Sequence, residues 1–226
     1  MISRLLKEKL RAFAYHLLFS CCLAGLLGVL VFIFWYPDVY RIFGATDGLL
    51  LFIGIDLVLG PLLTFVAFNS KKRELKRDIS IILMLQLSVF AFGLWTVYEE
   101  RPYVQVLTHK NILIYSRSDF QSLAVSLPES IKLSYAGPYK VFMYLPKSLS
   151  EIKSIEFVSE FVEQKPFGAR ADLYRSFLHG EQWGLSEVLA RFEKDSVMNC
   201  YWVDVMSKHF AGKACIDIHG ELMVVE

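Results

Sequence analysis

The chain has 226 residues with 24 Lys+Arg against 23 Asp+Glu, a net charge of +1 that gives no reason to expect nucleic acid as a partner. With 54% hydrophobic and 15% aromatic residues and a mean hydropathy of +0.40, it is too apolar for an ordinary soluble domain of its size. The excess is confined to the first part: residues 1–98 carry 10 Lys+Arg and 6 Asp+Glu, whereas residues 99–226 carry 14 and 17 and are long enough for a small domain with its own core.

Four cations, Arg4, Lys7, Lys9 and Arg11, precede a first uncharged run at 17–36 that closes on Trp35 and Tyr36. No A-x-A-like cleavage site follows it, so this segment reads as a retained helix. A second run, 49–68, is apolar except for Asp56. A third, 79–98, is uncharged and carries Trp95 and Tyr98 at its end. About 20 residues at 1.5 Å each reach the roughly 30 Å of a bilayer's hydrocarbon core, so three spanning helices are expected within residues 15–100. The paired aromatics suit the membrane interface.

Lys and Arg crowd the first 14 residues and the Lys71-Lys72-Arg73-Glu74-Leu75-Lys76-Arg77 loop, while the loop after the first helix has Arg41 offset by Asp38 and Asp47. The positive-inside bias puts residues 1–14 and the basic loop in the cytoplasm and residues 101–226 outside. That loop reads as a topology signal with lipid-headgroup contact rather than a docking or nucleic-acid site.

The second helix contains Gly54-Ile55-Asp56-Leu57-Val58-Leu59-Gly60-Pro61-Leu62-Leu63-Thr64. An intramembrane carboxylate costs at least about 2.5 kcal/mol on insertion scales and is a functional candidate by default. The alternatives for Asp56 are a structural contact, for instance to Gln86 on the third helix, or a polar group on a foreign transmembrane helix. Pro61 removes an amide donor and is expected to kink the helix, Gly60 admits another backbone, and Thr64 can satisfy a freed carbonyl or bond across helices.

The outer part reads as α+β. Residues 103–107 and 112–115 flank Thr108-His109-Lys110-Asn111 as a hairpin, and 140–145 is a further strand. Ser148 or Ser150 opens a helix with Ile152, Ile155, Phe157, Val158, Phe161 and Val162 on its apolar side; another helix covers 185–192. Residues 201–206, 214–218 and 222–225 form a terminal meander. Cys21 and Cys22 read as packing residues of the first helix. Cys200 and Cys215 occupy neighbouring strands on the oxidising side and are expected to pair if the register brings their Cα atoms within about 7 Å.

None of the outer histidines (His109, His179, His209, His219) has zinc-type spacing, and there is no P-loop, G-x-S-x-G, dinucleotide fingerprint or C-x-x-C. No catalytic residue, cofactor or metal is assigned. The Asp56 block, together with Trp35-Tyr36-Pro37, Gln86, Phe92-Gly93 and Tyr98-Glu99-Glu100-Arg101-Pro102, resembles the TfpX/TfpZ family of type IV pilin accessory proteins. Gly137-Pro138, a strand and Pro146 continue the pattern, whereas Thr108-His109-Lys110-Asn111 departs from the family's aspartate-arginine-phenylalanine triplet.

The resemblance implies a non-enzymatic, multi-pass factor of the bacterial inner membrane with a periplasmic C-terminal domain. It would assist surface assembly of type IV pilin subunits alongside the pilus machinery. Asp56, Gly60, Pro61, Thr64 and Gln86 are the expected partner-binding residues. Two alternatives come from other classes. A pilin-modifying membrane enzyme would need more spanning helices and a charged outer cluster, and a sensor or adaptor would need more than a short cytoplasmic loop.

Overall fold

The computed structural model describes residues 2–43, 46–69, 72–129, 131, 137–177 and 182–226; Lys71 and His179 lie outside them. The chain divides into two compact units, Met1–Phe32 with Ala45–Tyr98, and Ile33–Gly44 with Glu99–Glu226.

The first unit is helical. α1 (Ile2–Val29) runs on into a π-helical turn (Leu30–Trp35), α2 is Thr46–Ala67 with Pro61 inside it, and α3 is Leu75–Glu99. Among the described residues, two helices are long and apolar enough to cross a membrane, Arg4–Trp35 and Leu75–Glu99, and α2 contributes the shorter apolar stretch Phe52–Ala67. These runs of Leu, Ile, Phe and Ala satisfy their own backbone, as an apolar environment requires. Leu26, Leu50, Val58 and Met84 are 63–70% exposed, an extent of bare apolar surface that water disfavours and that is compatible with membrane association.

α1 and α2 are antiparallel. The Lys9 ammonium donates to the Val66 carbonyl at 3.1 Å, and Phe13 meets Phe65 edge-on at 6.3 Å. α3 packs Gly93 beneath the Phe52 ring, whose atoms leave no room for a Cβ. Where the loop enters α3, Lys72 pairs with Asp78 and Arg77 with Glu74, so part of the expected basic surface is internally neutralised.

The second unit is built on a mixed sheet. Its strands are β1 (Pro102–Leu107), β2 (Asn111–Ser116), β3 (Tyr139–Met143), β4 (Tyr174–Ser176), β5 (Glu193–Asp195), β6 (Cys200–Ser207), β7 (Ala211–Ile216) and β8 (Leu222–Val225). The order is β4-β3-β1-β2-β6-β7-β8, with β5 on β6. The expected β1–β2 hairpin and the β6–β7–β8 meander are antiparallel, whereas β1–β3 and β2–β6 are parallel. At the first hairpin the Thr108 hydroxyl accepts from the Lys110 and Asn111 amides, which closes the turn.

Alternation along each strand supplies both faces of the sheet. Leu107, Ile112, Phe142, Val203 and Ile216 pack on one side with Leu185, Val188 and Leu189 of α6 (Gln182–Leu189). Val104, Val106, Val141 and Met143 pack on the other with Phe120 of α4 (Arg117–Ser122), Ile152 of α5 (Leu149–Phe157) and Phe167. α4 carries a capping box, Ser116 with Asp119.

Two differences from the sequence reading stand out. The segment after the first helix is part of this unit: the 3-10 turn Asp38–Phe43 sends Tyr40 and Phe43 into the core. The Tyr40 hydroxyl donates to Gln105 Oε1 at 2.5 Å, and Gln105 Nε2 donates to the Gly220 carbonyl at 2.8 Å. Gly137, at φ +73°, packs against Pro37 and donates to the Phe34 carbonyl. Second, Phe157, Val158, Phe161 and Val162 do not face the core, because α5 passes into a π-helical turn (Val158–Val162) whose wider pitch turns Ser159 inward instead.

Cys200 and Cys215 form a disulfide with Cα atoms 5.6 Å apart. Trp202 is the direct partner of Cys215, so Cys200 sits diagonally on the same face, and the sheet's twist closes that diagonal.

Candidate functional site

The candidate site is the polar seam inside the helical unit. On α2, Asp56, Gly60 and Thr64 recur every four residues and share one face. On α1, His16 and Ser20 are spaced the same way, and the antiparallel packing brings the two rows together. His16 Nδ1 and the Thr64 hydroxyl share a hydrogen bond of 2.6 Å, which gives Thr64 its cross-helix partner. Ser20 and Thr64 are 1% and 5% exposed among otherwise apolar side chains.

α3 adds Gln86. A Cβ on Gly60 would overlap Gln86 Nε2 and crowd His16 Nε2, so glycine at this position is what lets the amide lie against α2. Both Gln86 amide atoms are buried without a hydrogen-bond partner. The structural contact weighed for Asp56, a bond to Gln86, is therefore not formed. Asp56 instead lines two cavities along α3: one with His16, Ser20, Leu23, Gln86 and Phe90, the other with Ala24, Leu27, Phe52, Gly93 and Leu94. Pro61 is buried within α2, which stays helical to Ala67.

A carboxylate, an unpartnered amide and a hydroxyl–imidazole pair offer hydrogen-bond donors and acceptors in an apolar setting, where an unmet polar group costs several kcal/mol. Such a seam has hydrogen-bonding capacity to offer a polar group. No group of three or more His, Cys, Asp or Glu able to hold a metal is found among the described residues. His16 and Ser20 did not emerge from the sequence reading. The signal was an ionisable residue inside a helix, with a hydroxyl one turn later.

In the second unit, Glu100 gathers the polar contacts at the start of the domain. Lys208 Nζ donates to its carboxylate at 3.0 and 3.1 Å and Ser118 at 2.9 Å, while His209 lies 3.6 Å away. Burial pushes the carboxyl up, but these hydrogen bonds and the Lys208 charge outweigh it and hold it below the usual range. Burial also pushes the Tyr115 phenol up, to about 12, with the Asp119 charge adding to it.

Comparison with known proteins gives three relatives from Dichelobacter nodosus. The chain is 39% identical over 127 residues to the fimbrial assembly protein of serogroup I, covering 54% of this chain and 49% of the relative. The serogroup E1 protein matches with the same identity and coverage. The fimbrial assembly protein of serogroups C1 and C2 is 40% identical over 118 residues, covering 51% of this chain and 88% of the relative. The match thus spans about half the length of the first two relatives and most of the third. The family model described as fimbrial assembly protein FimB matches residues 4–43, which comprise α1, its π-helical turn and the 3-10 turn that enters the second unit. No solved structure matches the chain at a significant level.

Proposed function

Since the chain belongs to the FimB family of fimbrial assembly proteins, we propose that it is a non-enzymatic, chaperone-like accessory factor of the inner membrane for a type IV fimbrial subunit. It holds the subunit's apolar helix at the seam between α3 and the α1–α2 pair and releases it to the assembly machinery. The observation that carries this reading is the unpartnered Gln86 amide in the cavity that Asp56 also lines: a polar group from a foreign helix would meet the amide and relieve the cost of leaving it unmet.

The proposal includes a topology in which α2 and α3 cross as an out-and-back pair; the folding of Ile33–Gly44 and Glu99–Glu226 as one unit supports their lying on one side of the membrane. The positive-inside bias of the cations at the N-terminus and before α3 supports the periplasm as that side.

The experiment is cross-linking in native membranes from a photo-activatable residue at Leu87, which lines the Asp56 cavity and is half exposed. An adduct with the fimbrial subunit is expected. Adducts with lipid alone, from a chain at normal abundance, would overturn the reading.

A further inference from the structure

The Gln86 amide is out of reach while α3 is seated. Its nitrogen and oxygen are both buried and unpartnered, and the nitrogen lies against Gly60 of α2. A foreign helix laid on the outer surface of the unit would leave the amide as it is. One inserted between α3 and the α1–α2 pair would meet it, and this requires α3 to move outward by about 8–10 Å, the distance between the axes of packed helices.

The contacts within the unit favour that movement over any other. α1 and α2 are tied to each other without α3, by Lys9 on the Val66 carbonyl, Phe13 against Phe65 and His16 on Thr64. On α3 the Ser88 and Thr96 hydroxyls turn back to the Met84 and Phe92 carbonyls of their own helix, while Ile81, Met84, Leu85, Phe92 and Trp95 are more than half exposed. The two cavities that Asp56 lines both lie between α3 and the pair. Close-packed interiors leave few such voids, and each one forfeits dispersion contacts that would hold the helices together. The unmet amide adds to the cost of the seated state. The unit is therefore weakest along α3.

We propose that α3 is a displaceable cover over the polar row of α1 and α2. Seated, it closes the seam; withdrawn, it admits the apolar helix of a fimbrial subunit, which then lies between Gln86 and the α2 face that carries Asp56. The proposal rests on the reading of the chain as a fimbrial assembly factor and adds to it how the seam opens. A ligand moves such an equilibrium only by binding one state more tightly, and withdrawal of α3 is what offers the buried Gln86 amide and Ser20 to an incoming helix. Reseating of α3 expels that helix, which makes the hold reversible.

The test reads the position of α3 by a disulfide. Cγ of the Phe52 ring lies 2.8 Å from the Cβ position of Gly93, so cysteines at these two positions have Cβ atoms at most about 4.3 Å apart, within reach of a bridge. Phe52→Cys with Gly93→Cys is placed in the full chain in native membranes, with Cys21→Ser and Cys22→Ser to remove the free thiols. Tryptic peptides 42–71 and 78–101 then carry one cysteine each and stay joined only where the bridge has formed. In a strain lacking the fimbrial subunit the bridge is expected to form nearly completely on mild oxidation, and expression of the subunit should lower the bridged fraction roughly threefold. A chain bridged before the subunit is induced should capture it from a Leu87 probe roughly tenfold less than the same chain kept reduced.

A bridged fraction that ignores the subunit, equal capture by bridged and reduced chains, or no bridge in the absence of subunit would each overturn the proposal. If the double variant does not accumulate, Phe52→Cys with Phe92→Cys, at rings whose centroids are 6.4 Å apart, is joined by a short bifunctional thiol reagent and judged by the same outcomes. The Leu87 probe in the otherwise unaltered chain separates the two levels. Subunit adducts there, with an α3 that never leaves the pair, remove the cover and leave the functional reading standing; no subunit adduct removes both.

Discussion

At the residue scale the account turns on whether Asp56 must be charged. Intramembrane hydrogen bonds average about 0.6 kcal/mol, so Asp56→Asn, which keeps shape and an acceptor, should accumulate near wild-type level. Asp56→Leu should lower surface fimbriae without abolishing subunit synthesis. Unchanged fimbriation with Asp56→Leu at normal abundance would move the contact elsewhere. The two close-packed glycines should differ: Gly60→Ala meets the end of a flexible Gln86 side chain, whereas Gly93→Ala meets the Phe52 ring. Gly93→Ala should then cost about 1–3 kcal/mol and Gly60→Ala less, read as thermal stability in detergent. Glu100, with its folded-state pKa lowered, contributes stability that is present above the unfolded carboxylate pKa of about 4.3 and lost as pH falls through the lower folded value. The Tm difference between wild type and Glu100→Gln should therefore be largest near neutral pH and shrink below about pH 4. Asp56, Gly60, Thr64 and Gln86 were legible because a polar or small residue in an apolar run is conspicuous by itself. His16 and Ser20 were not, since their role depends on the α1–α2 register that pairs His16 with Thr64.

At the element scale, the periodic segments were legible and the joining segment was not. The β1–β2 hairpin, the terminal meander and α5 follow from alternation, helical spacing and turn residues inside a few neighbouring positions. The outward turn of Phe157 and Phe161 depends on a pitch change that apolar spacing cannot report. The 3-10 turn Asp38–Phe43 looked like an outer loop, because nothing local says that Tyr40 will meet Gln105 across 65 positions. Its burial leads to a prediction: Tyr40→Phe leaves Gln105, 0% exposed, with an unmet acceptor and should cost about 1–3 kcal/mol in domain stability. A cost within error of zero, by thermal unfolding of the full chain, would mean the linker does not hold the domain. The disulfide belongs to this scale too. Thiol labelling of the unreduced, denatured protein should modify Cys21 and Cys22 only, and Cys200→Ser with Cys215→Ser should cost about 3 kcal/mol for the short loop closed.

At the scale of the whole molecule, the change of composition after residue 98 does not report that Ile33–Gly44 joins the second unit, nor does it report the strand order. The parallel pairs β1–β3 and β2–β6 join segments separated by helices and loops, and no local pattern encodes which strands become neighbours. The shared unit of Ile33–Gly44 and Glu99–Glu226 makes the topology testable: alkaline phosphatase fused after Glu226 should be active and a cytoplasmic-type reporter there silent, and the reverse would refute the periplasmic assignment. The central claim, that the chain acts on fimbrial subunits between their insertion and their assembly, is tested most directly by counting surface fimbriae in a strain deleted for the chain, with the membrane-held subunit pool measured alongside. The expected result is loss of surface fimbriae with subunit retained in the inner membrane, restored by the wild-type chain. Normal fimbriation in the deleted strain would contradict the account.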